Sequence, residues 1–183
     1  MKDAFEIRLE FAHTEGRSAR DEARLRGSSE LALVMSAICK WLAQHGVVLF
    51  EVGGFGQAKW PVDIGVDLAV VAEQIPDLLD GLVHRRVFDL DFYEQGIQRV
   101  VTFEPADHDE LRVSCRSGTS WTPAPDEYAL SRRDIIEMFA VFGKTFADAA
   151  HARCPGPVSH EAFQAWSRRY TGAVTLLRAD SPS

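Results

Sequence analysis

Asp107-His108-Asp109-Glu110 sets an imidazole among three carboxylates within one turn of chain. Oxygen donors at that density suit a divalent cation, and a histidine beside carboxylates suits a general base. A calcium loop, however, spreads its ligands over a longer stretch with a glycine at its bend, and this segment has neither. It reads as the polar tip of a hairpin. Asp89 and Asp91 share one face of an alternating segment, about 7 Å apart by strand geometry. Paired carboxylates of that sort do glycosidic or metal chemistry only inside a cleft. His151, Cys154 and His160 are spaced H-x2-C-x5-H, but structural zinc takes four ligands and no fourth lies nearby. They read as helix-end residues. Gly53-Gly54-Phe55-Gly56 has no following Gly-Lys-Ser/Thr, and Lys59 stands where a dinucleotide fingerprint needs its third glycine. A tight turn explains it. No Gly-x-Ser-x-Gly elbow is present, and Cys115 lies in a strand where a buried thiol is inert. The sequence assigns no catalytic residue, no metal and no cofactor.

The elements that position these groups are readable from hydrophobic spacing. Phe5, Ile7, Leu9 and Phe11 alternate with Glu6, Arg8 and Glu10, which predicts a strand. Leu31, Val34, Met35, Ile38, Trp41 and Leu42 form a helical stripe, capped by Ser29 and stopped at Gly46. Short strands are predicted over 47–52 and 60–66, then a helix from Asp67 to His84 that Pro76 breaks or restarts. Residues 87–117 read as a meander of three antiparallel strands. If Gly96 closes a three-residue loop, Tyr93 faces Ile97, Leu90 approaches Val100, and Asp91 pairs with Arg99 on the solvent side. Ser131 caps a helix carrying Ile135, Met138, Phe139, Phe142 and Phe146; after Pro155-Gly156-Pro157, Ser159 caps a last helix through Phe163, Trp166, Tyr170 and Leu177. The fold class is α+β: an antiparallel meander sheet of five or six strands with helices on one face. The chain reads as a single domain over 1–183, with a surface insertion at 12–28 and a disordered tail at 178–183.

Composition limits the partners. The chain holds 27 acidic and 20 basic side chains, a net charge of −7, with 46% hydrophobic and 26% charged residues. Between Val87 and Glu127 nine acids stand against three bases, which accounts for six of the seven excess charges. Such a face repels nucleic acid and anionic lipid and suits a basic partner. No apolar run approaches the ~20 residues that span a bilayer. Three well-separated cysteines, Cys39, Cys115 and Cys154, fit buried free thiols in the cytoplasm.

The N-terminal strand, the hairpin FDLDFYEQGIQRVVTFEP and the two C-terminal helices, in this order, resemble a loose family of small cytosolic bacterial proteins. That family extends to immunity-type proteins, which neutralise a toxin by protein contact. The resemblance implies a non-enzymatic binding module and carries over no functional residue. The mechanism expected is occlusion of a basic protein by Asp89, Asp91, Glu94, Asp107, Asp109 and Glu110, with Trp121 exposed on the 119–125 loop as an aromatic anchor. Two other readings compete. One is a small metal-assisted hydrolase using the meander carboxylates. The other is a homo-oligomeric regulatory protein joined through a sheet edge or the Phe163–Leu177 helix.

Overall fold

The alternation of apolar and charged residues in EIRLEF forms strand β1 (Glu6–Phe11), which buries Ile7 and Leu9 and exposes Glu6, Arg8 and Glu10. A computed structural model describes residues 4–11, 30–45, 48–93 and 96–179. The predicted insertion at 12–28 and the Ser29 cap lie outside them, as does the tail from 180 onward. Helix α1 (Leu31–Gln44) follows, burying Val34, Met35, Ile38, Cys39 and Leu42 at helical spacing. Strand β2 (Val48–Gly53) returns antiparallel to β1, with Ile7 opposite Val52 and Leu9 opposite Phe50.

Residues 60–66 are not a strand. Trp60 donates its backbone N–H to Val52 at 2.7 Å, but Pro61 has no donor to continue a ladder and the segment runs as a loop into α2 (Asp67–Val83). Asp67 accepts from the Asp63 backbone N–H at 2.6 Å, which tucks that loop under the first turn of α2. Pro76 does not break α2. A proline leaves the carbonyl four residues earlier without its helical donor. Here that carbonyl belongs to Ala72, and it accepts from the Trp166 indole Nε1 at 2.8 Å. The last helix supplies from outside what the proline removes.

The meander is present and longer than predicted. Strands β3 (Phe88–Phe92), β4 (Arg99–Pro105), β5 (Glu110–Ser117) and β6 (Glu127–Ser131) form a four-stranded antiparallel sheet in chain order. Among the described residues the strands thus form two sheets, of two and four strands, rather than one of five or six. Strand β6 was not anticipated, because its short sequence EYALS runs directly into the helix behind it. The β3–β4 register also differs by one residue from the expected one. Phe92 faces Arg99, Asp91 faces Val100 and Leu90 faces Val101 across a connection of residues 93–98. A one-residue slip exchanges the two faces of a strand, so Arg99 turns inward with Val101 and Phe103.

Helix α3 (Arg132–Arg153) starts where Ser131 Oγ accepts from the Asp134 N–H at 3.2 Å, as its capping sequence predicts. One turn, α4 (Pro155–Val158), sits in the proline-rich break, and α5 (Glu161–Ala179) closes the chain. Phe5, Phe55, Trp60, Phe103 and Phe139 meet in one aromatic cluster, with Phe5–Phe103 centroids 5.8 Å apart and Phe103–Phe139 centroids 5.6 Å apart. That cluster joins both sheets to α3. The outward positions of the four-stranded sheet are solvent-facing, with Asp89, Arg112, Arg116, Glu127 and Ala129 exposed.

The turn after β2 sets a strict backbone requirement. Gly54, Phe55 and Gly56 take positive φ in succession, at 124°, 56° and 82°. Phe55 tolerates this because its ring is fully buried in the aromatic cluster and its carbonyl accepts from Ala124 N–H at 3.0 Å. A Cβ on Gly56 would lie 2.2 Å from the Ala124 carbonyl oxygen. Gly56→Ala is therefore expected to destabilise the protein by about 2 kcal/mol or more, read as a lowered urea midpoint. An unchanged midpoint would show that the two loops are not held together.

Candidate protein-binding surface

The outer face of β3–β6 carries three of the acids the sequence singled out, Asp89, Asp91 and Glu110, while Asp107 and Asp109 lie in the turn between β4 and β5. Asp89, Asp91, Glu104, Glu110 and Glu127 lie on this face against Arg112 and Arg116. Glu104 holds Arg112 at 2.5 Å, Glu127 approaches the same guanidinium at 3.8 Å, and Asp89 lies 3.6 Å from Arg116 while accepting from Thr102 Oγ1 at 2.5 Å. The hydrogen bond from Arg112 to Glu104, and then the nearby carboxylate charges, push the Arg112 pKa up. These pairs are solvent-exposed and contribute little to stability.

The Asp107–Glu110 turn is braced by two arginines from elsewhere. Arg85 donates to the His108 carbonyl at 2.6 Å and the Ala106 carbonyl at 2.7 Å. Arg132 pairs with Asp109 at 2.9 Å. Of the predicted partner-binding acids, Asp89 and Asp109 are thus engaged in ion pairs. Asp91, Asp107 and Glu110 have no ion-pair partner among the described residues. Glu94 lies outside the described residues. Trp121 is not the exposed anchor expected of it. It is half-buried, packs edge-on against Trp60 at 6.0 Å, and covers a guanidinium.

That guanidinium belongs to Arg99, which sequence reasoning placed on the solvent side. It is only 3% exposed, with its centre 3.5 Å from the Trp121 ring centroid and 4.4 Å from that of Trp60. Nη2 donates to Gln57 Oε1 at 2.7 Å, while Nε and Nη1 are buried without a hydrogen-bond partner among the described residues. Burial lowers the Arg99 pKa from its ordinary value. Two indole faces stand in for the water and carboxylate such a cation normally has. Strand parity carried the signal: Arg99 falls in the same series as Ile97, Val101 and Phe103, all buried.

The zinc-like trio does not converge. His151 is exposed, with its ring edge-on to Phe163. Cys154 is buried, and His160 Nδ1 accepts from the Ala162 N–H at 3.2 Å. Among the described residues, no three His, Cys, Asp or Glu side chains are placed to hold a metal ion. No helix of the described residues is long and apolar enough to cross a membrane. All three cysteines are free and buried. Burial pushes Cys115 up to about 11, against the pull of nearby Arg99, and Cys154 up to about 12; Cys39 is raised by burial and then by proximity to Cys154.

No family model, curated protein sequence or solved structure matches the chain.

Three outcomes are expected of these buried groups. Arg99→Met, which keeps the stem volume and removes the unpaired charge, is expected to change unfolding free energy by no more than about 1.5 kcal/mol in urea. Trp60→Ala is expected to cost about 3–5 kcal/mol. A loss as large for Arg99→Met would mean that the charge itself holds the two indoles. The thiols are expected to resist a disulfide reagent at pH 8 in the native state and to react fully once the chain is unfolded. Fast native labelling of any of them would contradict the burial described above.

Proposed function

We propose that this protein is a non-enzymatic binding module that engages a basic protein partner through the open outer face of β3–β6. The observation that carries this reading is the composition of that face: five acids against two bases at the outward positions of the sheet. The mode of action is occlusion, as in an inhibitor of the immunity type, with electrostatic attraction speeding encounter and selecting basic surfaces. Asp91, Asp107 and Glu110 supply the charge not already neutralised by an ion pair within the described residues. Glu104 and Glu127 bracket Arg112, and Asp89 adjoins Arg116, so the same face offers fixed guanidinium donors as well as carboxylates. Its setting is the cytoplasm, where free thiols persist.

The test is affinity capture from native lysate at low and high salt, with wild type and with Asp91→Asn/Asp107→Asn/Glu110→Gln side by side. A basic protein retained one-to-one by wild type, released by salt and weakened at least tenfold by the triple change is expected. Equal retention by the variant would reject this face as the contact.

A further inference from the structure

Among the described residues, strand β1 is hydrogen-bonded as a strand on one side only. Its partner is β2, and the two form a sheet of their own. Its opposite edge runs along a groove of about 830 Å³. The far wall of that groove is the flank of α3, where Asp134, Glu137, Met138 and Val141 follow one another at helical spacing, and Leu130 of β6 also lines it. An open strand edge is a template for another chain, and proteins usually guard it with proline, a bulge or an inward charge. The six residues of β1 contain no proline, and their register with β2 advances one for one without a bulge.

The groove is both acidic and apolar. Glu6, Glu10, Asp134 and Glu137 line it against Arg8 alone, and Arg8 is held by Glu6 at 2.5 Å. Glu10, Asp134 and Glu137 have no ion-pair partner among the described residues. Val141, at 57% exposure, and the half-buried Met138 supply the apolar wall. A backbone edge, a row of carboxylates and an apolar strip are what an extended basic segment can use together. Its amides would extend the β1–β2 ladder while alternate side chains meet carboxylates and the Met138–Val141 strip.

From this juxtaposition we infer that the free edge of β1 is a strand-addition site for an extended segment of a basic protein, alternating cationic and apolar residues. The inference rests on the reading that the partner is basic, and it places a second, separate contact away from the outer face of β3–β6. A second copy of this chain fits poorly, because antiparallel pairing of two β1 edges about Arg8 would set Glu6 of each against Glu10 of the other.

The experiment is an amide-resolved NMR titration with a synthetic peptide of alternating lysine and valine, as long as β1. Two control peptides accompany it: one with glutamate for lysine, and one N-methylated at alternate residues so that one edge cannot donate. The protein is used as wild type, as Glu10→Gln/Glu137→Gln, and as Asp91→Asn/Glu110→Gln. Saturable shifts over residues 5–10 and 134–141 are expected, with newly protected β1 amides. Binding at the β1 amides should weaken at least tenfold on N-methylation and on the groove substitution, while Asp91→Asn/Glu110→Gln should remove only such shifts as arise on the β3–β6 face.

Shifts confined to the β3–β6 face and indifferent to N-methylation would overturn the groove assignment while leaving the basic-partner reading intact. Equal binding of the glutamate peptide would overturn the charge argument and that reading with it. No saturable binding of the lysine peptide would overturn the site. Perturbation of β1 amides by raising protein concentration alone would assign the edge to a second copy instead.

Discussion

A guanidinium between two indoles sets the terms for much of this fold. Arg99 takes an inward position on β4, and Trp60 and Trp121 both come over the sheet to cover it. Trp60 lies in the connection from β2 to α2, and Trp121 lies in the loop that links β5 to β6. The same two loops touch directly where Gly56 passes beneath Ala124, and where Phe55 accepts from the Ala124 N–H. A cation would cost several kcal/mol to bury alone, and the two indole faces together with the Gln57 amide oxygen offset that cost. The electrostatic consequence appears on the other side. An arginine drawn inside no longer neutralises Asp91, and the outer face is left more negative than its sequence suggests.

The helices pack so as to keep that face open. Trp166 of α5 donates into the gap that Pro76 leaves in α2 and stacks on Tyr170 at 5.6 Å, and the Tyr170 hydroxyl donates to the Ala140 carbonyl of α3 at 2.7 Å. Three helices are thereby locked together by two aromatic side chains, each satisfying a backbone carbonyl of a neighbour. Gly143 is part of the same arrangement, since a Cβ there would lie 2.5 Å from the Tyr170 ring. Apolar burial and specific polar contacts thus lie on one side of the four-stranded sheet, and exposed charge on the other.

Much of this was legible in the sequence, and the losses have physical reasons. Strict alternation marked β1 and the meander, and helical stripes marked α1 and α3, because each buries one face only. The register of β3 with β4 was missed because Gly96 suggested a tight hairpin, whereas the connection spans 93–98. A helix continuing through Pro76 could not be read locally, since the compensating donor is 94 residues away in the chain. Strand β6 is too short, and too close to α3, for its alternation to stand out. The acids of the outer face were visible as composition, but their arginine partners are cross-strand neighbours and depend on register. The groove beside β1 was invisible for a related reason: only the packing of α3 makes it a groove.

Zero-length carbodiimide cross-linking of the protein to a partner captured from native lysate, with the linked peptides mapped by mass spectrometry, tests the central claim most directly. Bonds are expected from partner lysines to carboxylates of the β3–β6 face and its adjoining turn, Asp91, Asp107 and Glu110 foremost, and these bonds are expected to be lost at high salt. Cross-links concentrated on the helical surfaces of α1 and α5, or retention that salt leaves unchanged, would contradict it.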